Sequence, residues 1–127
     1  MGFMNTFHAW VNDSLFIPYK IDWNVAKPAE TDPWFVMEVN EESHDSLLFC
    51  DTEAGDSIIT ITGYGSRRYN TYEILEELRQ SIAREARGNL PVYDAWKIIT
   101  TGTISLGTVE NQINSYSFEI TISWALA

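Results

Sequence analysis

The segment from Ser115 to Trp124 alternates apolar and polar side chains without interruption. A period of two residues is that of a β-strand with one face turned towards a core. At about 3.4 Å per residue this strand is on the order of 34 Å long, so its neighbours in the sheet must also be long. Its apolar members are Tyr116, Phe118, Ile120, Ile122 and Trp124.

The size and composition of the chain indicate one domain over residues 1–127. A compact domain typically holds about 100 to 200 residues, and 45% hydrophobic with 13% aromatic residues supplies enough material for a single core. The single cysteine, Cys50, excludes an intrachain disulfide and is typical of a reducing compartment. Apolar runs are short, so we expect neither a secretion signal nor a membrane span.

The first half of the chain shows one helix and several strands. Apolar residues three and four apart predict a helix from Phe3 to Leu15. A short strand follows at Tyr19 to Trp23, then a loop rich in turn residues, then a strand from Trp34 to Asn40 that begins after Pro33. Between Glu41 and Asp56 the pattern is interrupted, which leaves a mobile loop, a short strand and a long hairpin arm as alternatives.

The second half contains the strongest helix. The strand Ser57 to Tyr64 leads into a helix from Thr71 to Arg87, in which Asn70 and Glu73 predict a capping box and Gly88 a left-handed end. A strand from Val92 to Thr101 follows, and turns at Gly102 and Gly107 leave room for one more short strand. The apolar stripe of this helix consists of Leu75, Leu78, Ile82 and Ala86.

This order of elements predicts an α+β fold. Its sheet is mostly antiparallel or mixed, has five to seven strands, and carries both helices on one face, since each helix has a single apolar stripe. The strands around Val36 and Ile59 have apolar side chains on both faces. We therefore expect the second face to pack on another sheet layer or on another copy of the chain.

The sequence contains no convincing motif for catalysis, for cofactor binding or for metal binding. We therefore expect a protein that is not an enzyme and needs no cofactor. Cys50 with His44 would need favourable loop geometry to form a nucleophilic pair, and the acids around His44 match neither a calcium loop nor a zinc pattern. Gly63 and Gly65 lie between a strand and a helix, but no phosphate-binding lysine follows them.

The charges are distributed unevenly along the chain. Eighteen acidic against eight basic side chains give a net charge of −10, which disfavours free-standing nucleic-acid binding. Nine acids and no Lys or Arg stand between Pro28 and Ser66, and two arginines follow directly. Either the acids form a solvated loop, or they meet the arginines across a subunit boundary. The candidate interface residues are Arg67, Arg68, Glu41, Glu42, Asp45, Asp51, Glu53 and Asp56.

The sequence resembles the tail-terminator, or tail-completion, proteins of long-tailed bacteriophages. The resemblance lies in the N-terminal helix, the segment Asp32 to Val39, the acidic interruption, the strand Ile58 to Tyr64 leading into the helix Glu73 to Arg87, and the closing alternating strand. The resemblance rests on the order, the size and the residue pattern of these elements, and it covers nearly the whole chain.

The resemblance implies a non-enzymatic ring, commonly hexameric in that family, that caps the growing tail tube and then joins it to the head connector. The partners it implies are further copies of this chain, the tail tube protein and the connector protein, in a virion assembled in the bacterial cytoplasm. Acidic residues facing the lumen would keep passing DNA from binding.

A different class of function stays open on the residues alone. A small α+β domain for ligand binding or catalysis could enclose a pocket lined by tryptophans. The five candidates are Trp10, Trp23, Trp34, Trp96 and Trp124. A closed apolar cavity in the protomer favours this alternative, and a flat apolar sheet face favours the ring.

Overall fold

The computed structural model describes residues 2–15, 21–23, 33–47, 52–109 and 113–126. In chain order these residues form two helices and six strands: α1 (Phe3–Ser14), β1 (Ile21–Trp23), β2 (Trp34–Leu47), β3 (Thr52–Gly65), α2 (Arg68–Glu85), β4 (Tyr93–Thr100), β5 (Ile104–Val109) and β6 (Ile113–Leu126). The predicted α+β fold is confirmed.

The strands form one mixed sheet in the order β1-β2-β3-β6-β4, with β5 also paired to β6. Only β1 and β2 are parallel; the other pairs are antiparallel. Strands β4 and β5 both pair with the same side of β6. Strand β4 pairs with the part of β6 from Ile120 onwards, and β5 pairs with the part up to Ser117. They act as one long edge strand that is interrupted at residues 101–103.

The core lies between the helices and one face of the sheet, which we call the helix face. All five apolar residues of the alternating strand are buried there, and Phe3 of α1 stacks on Trp124 with ring centroids 4.9 Å apart. The predicted stripe of α2 is buried as well. Trp124 donates its indole N–H to the Ser57 hydroxyl, 3.1 Å away, so the polar end of this buried ring is satisfied.

Helix α1 also covers the outer edge of β1. The Asn12 side chain accepts a hydrogen bond from the Ile21 N–H at 2.8 Å and donates one to the Ile21 carbonyl at 3.1 Å. His8 bonds to the same carbonyl and stacks on Trp23. An amide side chain thus supplies the two hydrogen bonds that a further strand would make to Ile21.

Two features of the fold differ from the sequence predictions. The acidic interruption is not a loop over its described part: β2 runs to Leu47 and β3 begins at Thr52, which selects the long hairpin among the three alternatives. Helix α2 begins at Arg68, so Asn70 lies inside it and the predicted capping box is wrong. Gly88 does have the expected left-handed backbone, with φ of 80°.

Candidate interface

The sheet face opposite the helices is the first candidate interface, and we call it the open face. Cross-strand pairing assigns to it Ser115, Ser117, Glu119, Thr121 and Ser123 of β6, with their partners on β3 and β4. Within the described residues no helix or second sheet lies over it. The expected second sheet layer is therefore not formed by this part of the chain.

The open face is more polar than the sequence predicts. Serine and threonine occupy its central rows, for example Thr62 beside Ser117. Its apolar members include Val36 beside Thr62, the stacked pair Trp34 and Tyr64, with ring centroids 5.2 Å apart, and Ile58, Ile99 and Ile104. Ile99 and Ile104 remain 53% and 58% exposed, whereas Val36 is 7% exposed, so the apolar part of this face is open to solvent at β4 and β5 and covered at β2.

The candidate acids lie in the outer half of the β2–β3 hairpin. Glu41 pairs with Ile58 and Glu42 with Ser57, and further out Asp45 pairs with Ala54. Glu53 and Asp56 belong to the returning strand, where Asp56 accepts a short hydrogen bond from the Ser123 hydroxyl at 2.5 Å. Asp51 lies outside the described residues. Glu41 and Asp56 are exposed.

The two arginines lie at the opposite end of β3. Arg67 is exposed and directly precedes α2, whose first residue is Arg68. Gly65 is nine positions after Asp56 along this extended strand, a distance of about 30 Å. Within the described residues the hairpin acids and Arg67 therefore lie far apart in one chain, and a contact between them would join two copies.

The five tryptophans do not share a pocket. Trp10 and Trp124 are part of the core on the helix face, whereas Trp34 lies on the open face against Tyr64. Trp23 stacks on His8, and Trp96 is 54% exposed where a bulge interrupts β4. These residues lie on both faces of one sheet, so they do not line a common pocket.

A cleft of about 300 Å³ opens where β4 gives way to β5. The backbone N–H of Glu119 donates to the Thr101 hydroxyl there, and the Thr101 N–H donates to the Glu119 carbonyl, both at 2.9 Å. Its lining residues are Thr60, Thr101, Ile104, Ser117, Phe118 and Glu119. The lining contains neither a tryptophan nor a general base paired with a nucleophile, so we assign the cleft no chemistry.

Helix α2 is joined to the same junction by one charged network that sequence analysis did not identify. Glu76 makes a two-point ion pair with Arg79, with contacts of 2.7 and 2.8 Å. Glu76 also accepts from the Thr103 hydroxyl, and Arg79 donates to Thr100. The hydrogen bond from Arg79, followed by that from Thr103, lowers the pKa of Glu76 to about 2. In the sequence, this ion pair could have been inferred from the three-residue spacing of Glu76 and Arg79, because side chains three apart are neighbours on a helix.

Three further observations concern metal ligands, the single cysteine and membrane-spanning helices. The described residues contain no group of three or more His, Cys, Asp or Glu close enough to hold a metal ion. Cys50 lies outside them, so its pairing with His44 has no structural description. No helix among the described residues is both long and apolar enough to cross a membrane.

The sequence matches no protein-family model and no curated protein.

Proposed function

We propose that this protein is a structural component of a bacteriophage virion that forms a ring at the head-proximal end of the tail tube. The ring terminates tube growth and joins the tail to the head connector. The described residues contain the elements on which the resemblance rests, in the same order: α1, β2, β3 leading into α2, and β6.

The separation of charges along β3 is the observation that carries this proposal. Each chain presents acids on its hairpin and Arg67 about 30 Å away. Two different surfaces that complement each other favour head-to-tail contacts between copies, and such contacts close into rings when the rotation between copies permits it. The ring is proposed to be a hexamer, as is common in the family.

The open face gives the proposal a second support. Ile99 and Ile104 lie on it with more than half of each residue exposed. A neighbouring copy, the tube protein or the connector would remove this apolar surface from water. The acid excess of the chain suits a lumen through which DNA passes without specific binding.

The experiment is imaging of the purified protein by negative-stain electron microscopy, alone and with preformed tail tubes, together with native mass spectrometry. The proposal predicts rings of identical copies, either free or at one end of each tube. A protein that stays monomeric at high concentration and leaves tube ends bare would overturn it. The proposed location is the tail or neck of the virion, after assembly in the host cytoplasm.

A further inference from the structure

The outer edge of β4 and the turn before it carry an apolar surface, of which the ring proposal uses only Ile99. Strand β4 is the last in the sheet order, so within the described residues no strand pairs with its outer side. Three large apolar residues here are more than half exposed: Val92 at 62%, Trp96 at 54% and Ile99 at 53%. Surface of this kind on a sheet edge marks a contact site.

Two opposite charges accompany these residues. Asp94 pairs with Ala125 and Lys97 with Ser123, so both lie on the open face of the sheet. Both are exposed, and no ion pair or hydrogen bond joins either side chain to another described residue. They stand on either side of Ala95 and Trp96, which gives the edge a negative and a positive end.

We infer that the β4 edge binds the β4 edge of a second copy, antiparallel, about a two-fold axis that passes between Ala95 and Trp96. Antiparallel pairing about this axis sets Asp94 of each copy opposite Lys97 of the other, on the same face of the joined sheet. Ion pairs between residues that lie directly opposite each other stabilise antiparallel strands. An isologous contact of this kind uses the same surface twice.

The order of the charges identifies a second copy as the occupant. A strand with a negative and then a positive position is complementary to itself when reversed, and any other partner would need this pattern by coincidence. The apolar side chains follow the same symmetry, because Trp96 lies next to the axis and Ile99 comes near Val92 of the other copy.

The size of the contact predicts a weak dimer. Three half-exposed side chains contribute on the order of 350 Å² per copy, which is below the roughly 800 Å² per partner of a standard stable interface. The bulge between Ala95 and Lys97 interrupts the regular strand geometry, so side chains contribute more than a continuous hydrogen-bond ladder does. We expect a dissociation constant on the order of 100 μM.

The test is sedimentation equilibrium of the wild type and of two single variants, D94K and K97D, without tube protein. In a D94K dimer, position 94 of one copy and position 97 of the other both carry a positive charge, and in a K97D dimer both carry a negative charge. Each variant alone should therefore bind itself at least ten-fold more weakly. An equal mixture of the two restores opposite charges in both pairs. It should therefore dimerise about as strongly as the wild type.

Glu85→Lys is the matched control, because it makes the same charge change as D94K at an exposed position of α2 and should leave dimerisation unchanged. A wild type that is monomeric up to about 1 mM overturns the inference, as does a D94K and K97D mixture that stays monomeric. If the wild type forms rings unaided, the same comparison is made in an R67E/R68E background. The dimer is thereby tested independently of the ring.

Discussion

The ring of Phe35 lies directly against the backbone of Gly63, its cross-strand partner, on the helix face of the sheet. A β-carbon added to Gly63 would lie 2.7 Å from Cε1 of Phe35 and 3.3 Å from the Thr71 methyl group. The glycine lets the first turn of α2 and the Phe35 ring approach β3 closely. This packing sets the position of α2, and with it that of Arg67.

Gly63→Ala should destabilise the protein by about 1–3 kcal/mol, because the added methyl group has to displace the buried Phe35 ring. Urea unfolding followed by tryptophan fluorescence measures the change. Gly102→Ala is the matched control, since no atom lies within 4 Å of the position of its β-carbon. Equal stability of the two variants would contradict the packing described here.

The Glu76 carboxylate should make stability depend on acid pH. Its pKa in the folded protein is lowered from 4.5 to about 2, so the stabilisation is complete above pH 4.5 and is lost as the pH falls towards 2. The network is partly solvent-exposed, with 19% of the Glu76 side chain accessible, which limits the contribution to about 1 kcal/mol.

Glu76→Gln should therefore lose about 1 kcal/mol at pH 7, and the difference from the wild type should shrink at pH 3. Glu77→Gln is the control, because Glu77 is exposed on the same helix. Chemical denaturation at both pH values checks this. A difference between wild type and Glu76→Gln that grows towards pH 3 would show that the ion pair is not its source.

Val92 has an unusual backbone conformation for a β-branched residue, with φ of 69°. The Tyr93 N–H donates to the Pro91 carbonyl at 2.7 Å, which closes a tight turn around Val92 before β4 begins. Val92→Gly should stabilise the fold by about 0.5–1 kcal/mol, because glycine adopts this region without steric cost.

Val92→Ala separates backbone strain from loss of the exposed side chain, since alanine keeps the steric cost at positive φ. Thermal unfolding of both variants gives the answer. The strain explanation requires a higher midpoint for Val92→Gly than for Val92→Ala. The reverse order would reject it.

Charge reversal at Arg67 and Arg68 tests the contact proposed between copies. R67E/R68E should lower assembly at least ten-fold while changing the melting temperature of the monomer little, since Arg67 is exposed. Native mass spectrometry and calorimetry measure the two effects. Mixing R67E/R68E chains with E41K/D56K chains should restore assemblies that contain both variants. In such a mixture, the hairpin of each variant again faces the opposite charge at positions 67 and 68 of the other variant. Equal losses of assembly and of monomer stability would exclude the contact.

Periodicity predicted the parts of the fold that pack on the core. The alternation from Tyr116 to Trp124 and the stripe from Leu75 to Ala86 were both identified from the sequence, because burial of one face imposes a period on these elements. For the outer hairpin arms, periodicity did not decide between a loop, a short strand and a long hairpin arm. Their sequence has no regular apolar period, and it is cross-strand pairing that defines these arms as strands.

The placement of the candidate interface could be predicted only in part. Spacing along the sequence identified Arg67 and the acids, but it gave no indication that they lie at opposite ends of one strand. The bulge beside Trp96 likewise has no signal in the sequence, although it leaves that indole exposed at the sheet edge. Strand register and bulges depend on tertiary pairing, which composition and periodicity do not describe.

The assembly state of the purified protein in the presence of tail tubes tests the central claim most directly. Electron microscopy should show a ring of identical copies at one end of each tube, with tube growth stopped there, and R67E/R68E should leave that end bare. Tubes that lengthen normally in the presence of a wild-type protein that remains monomeric would contradict the account.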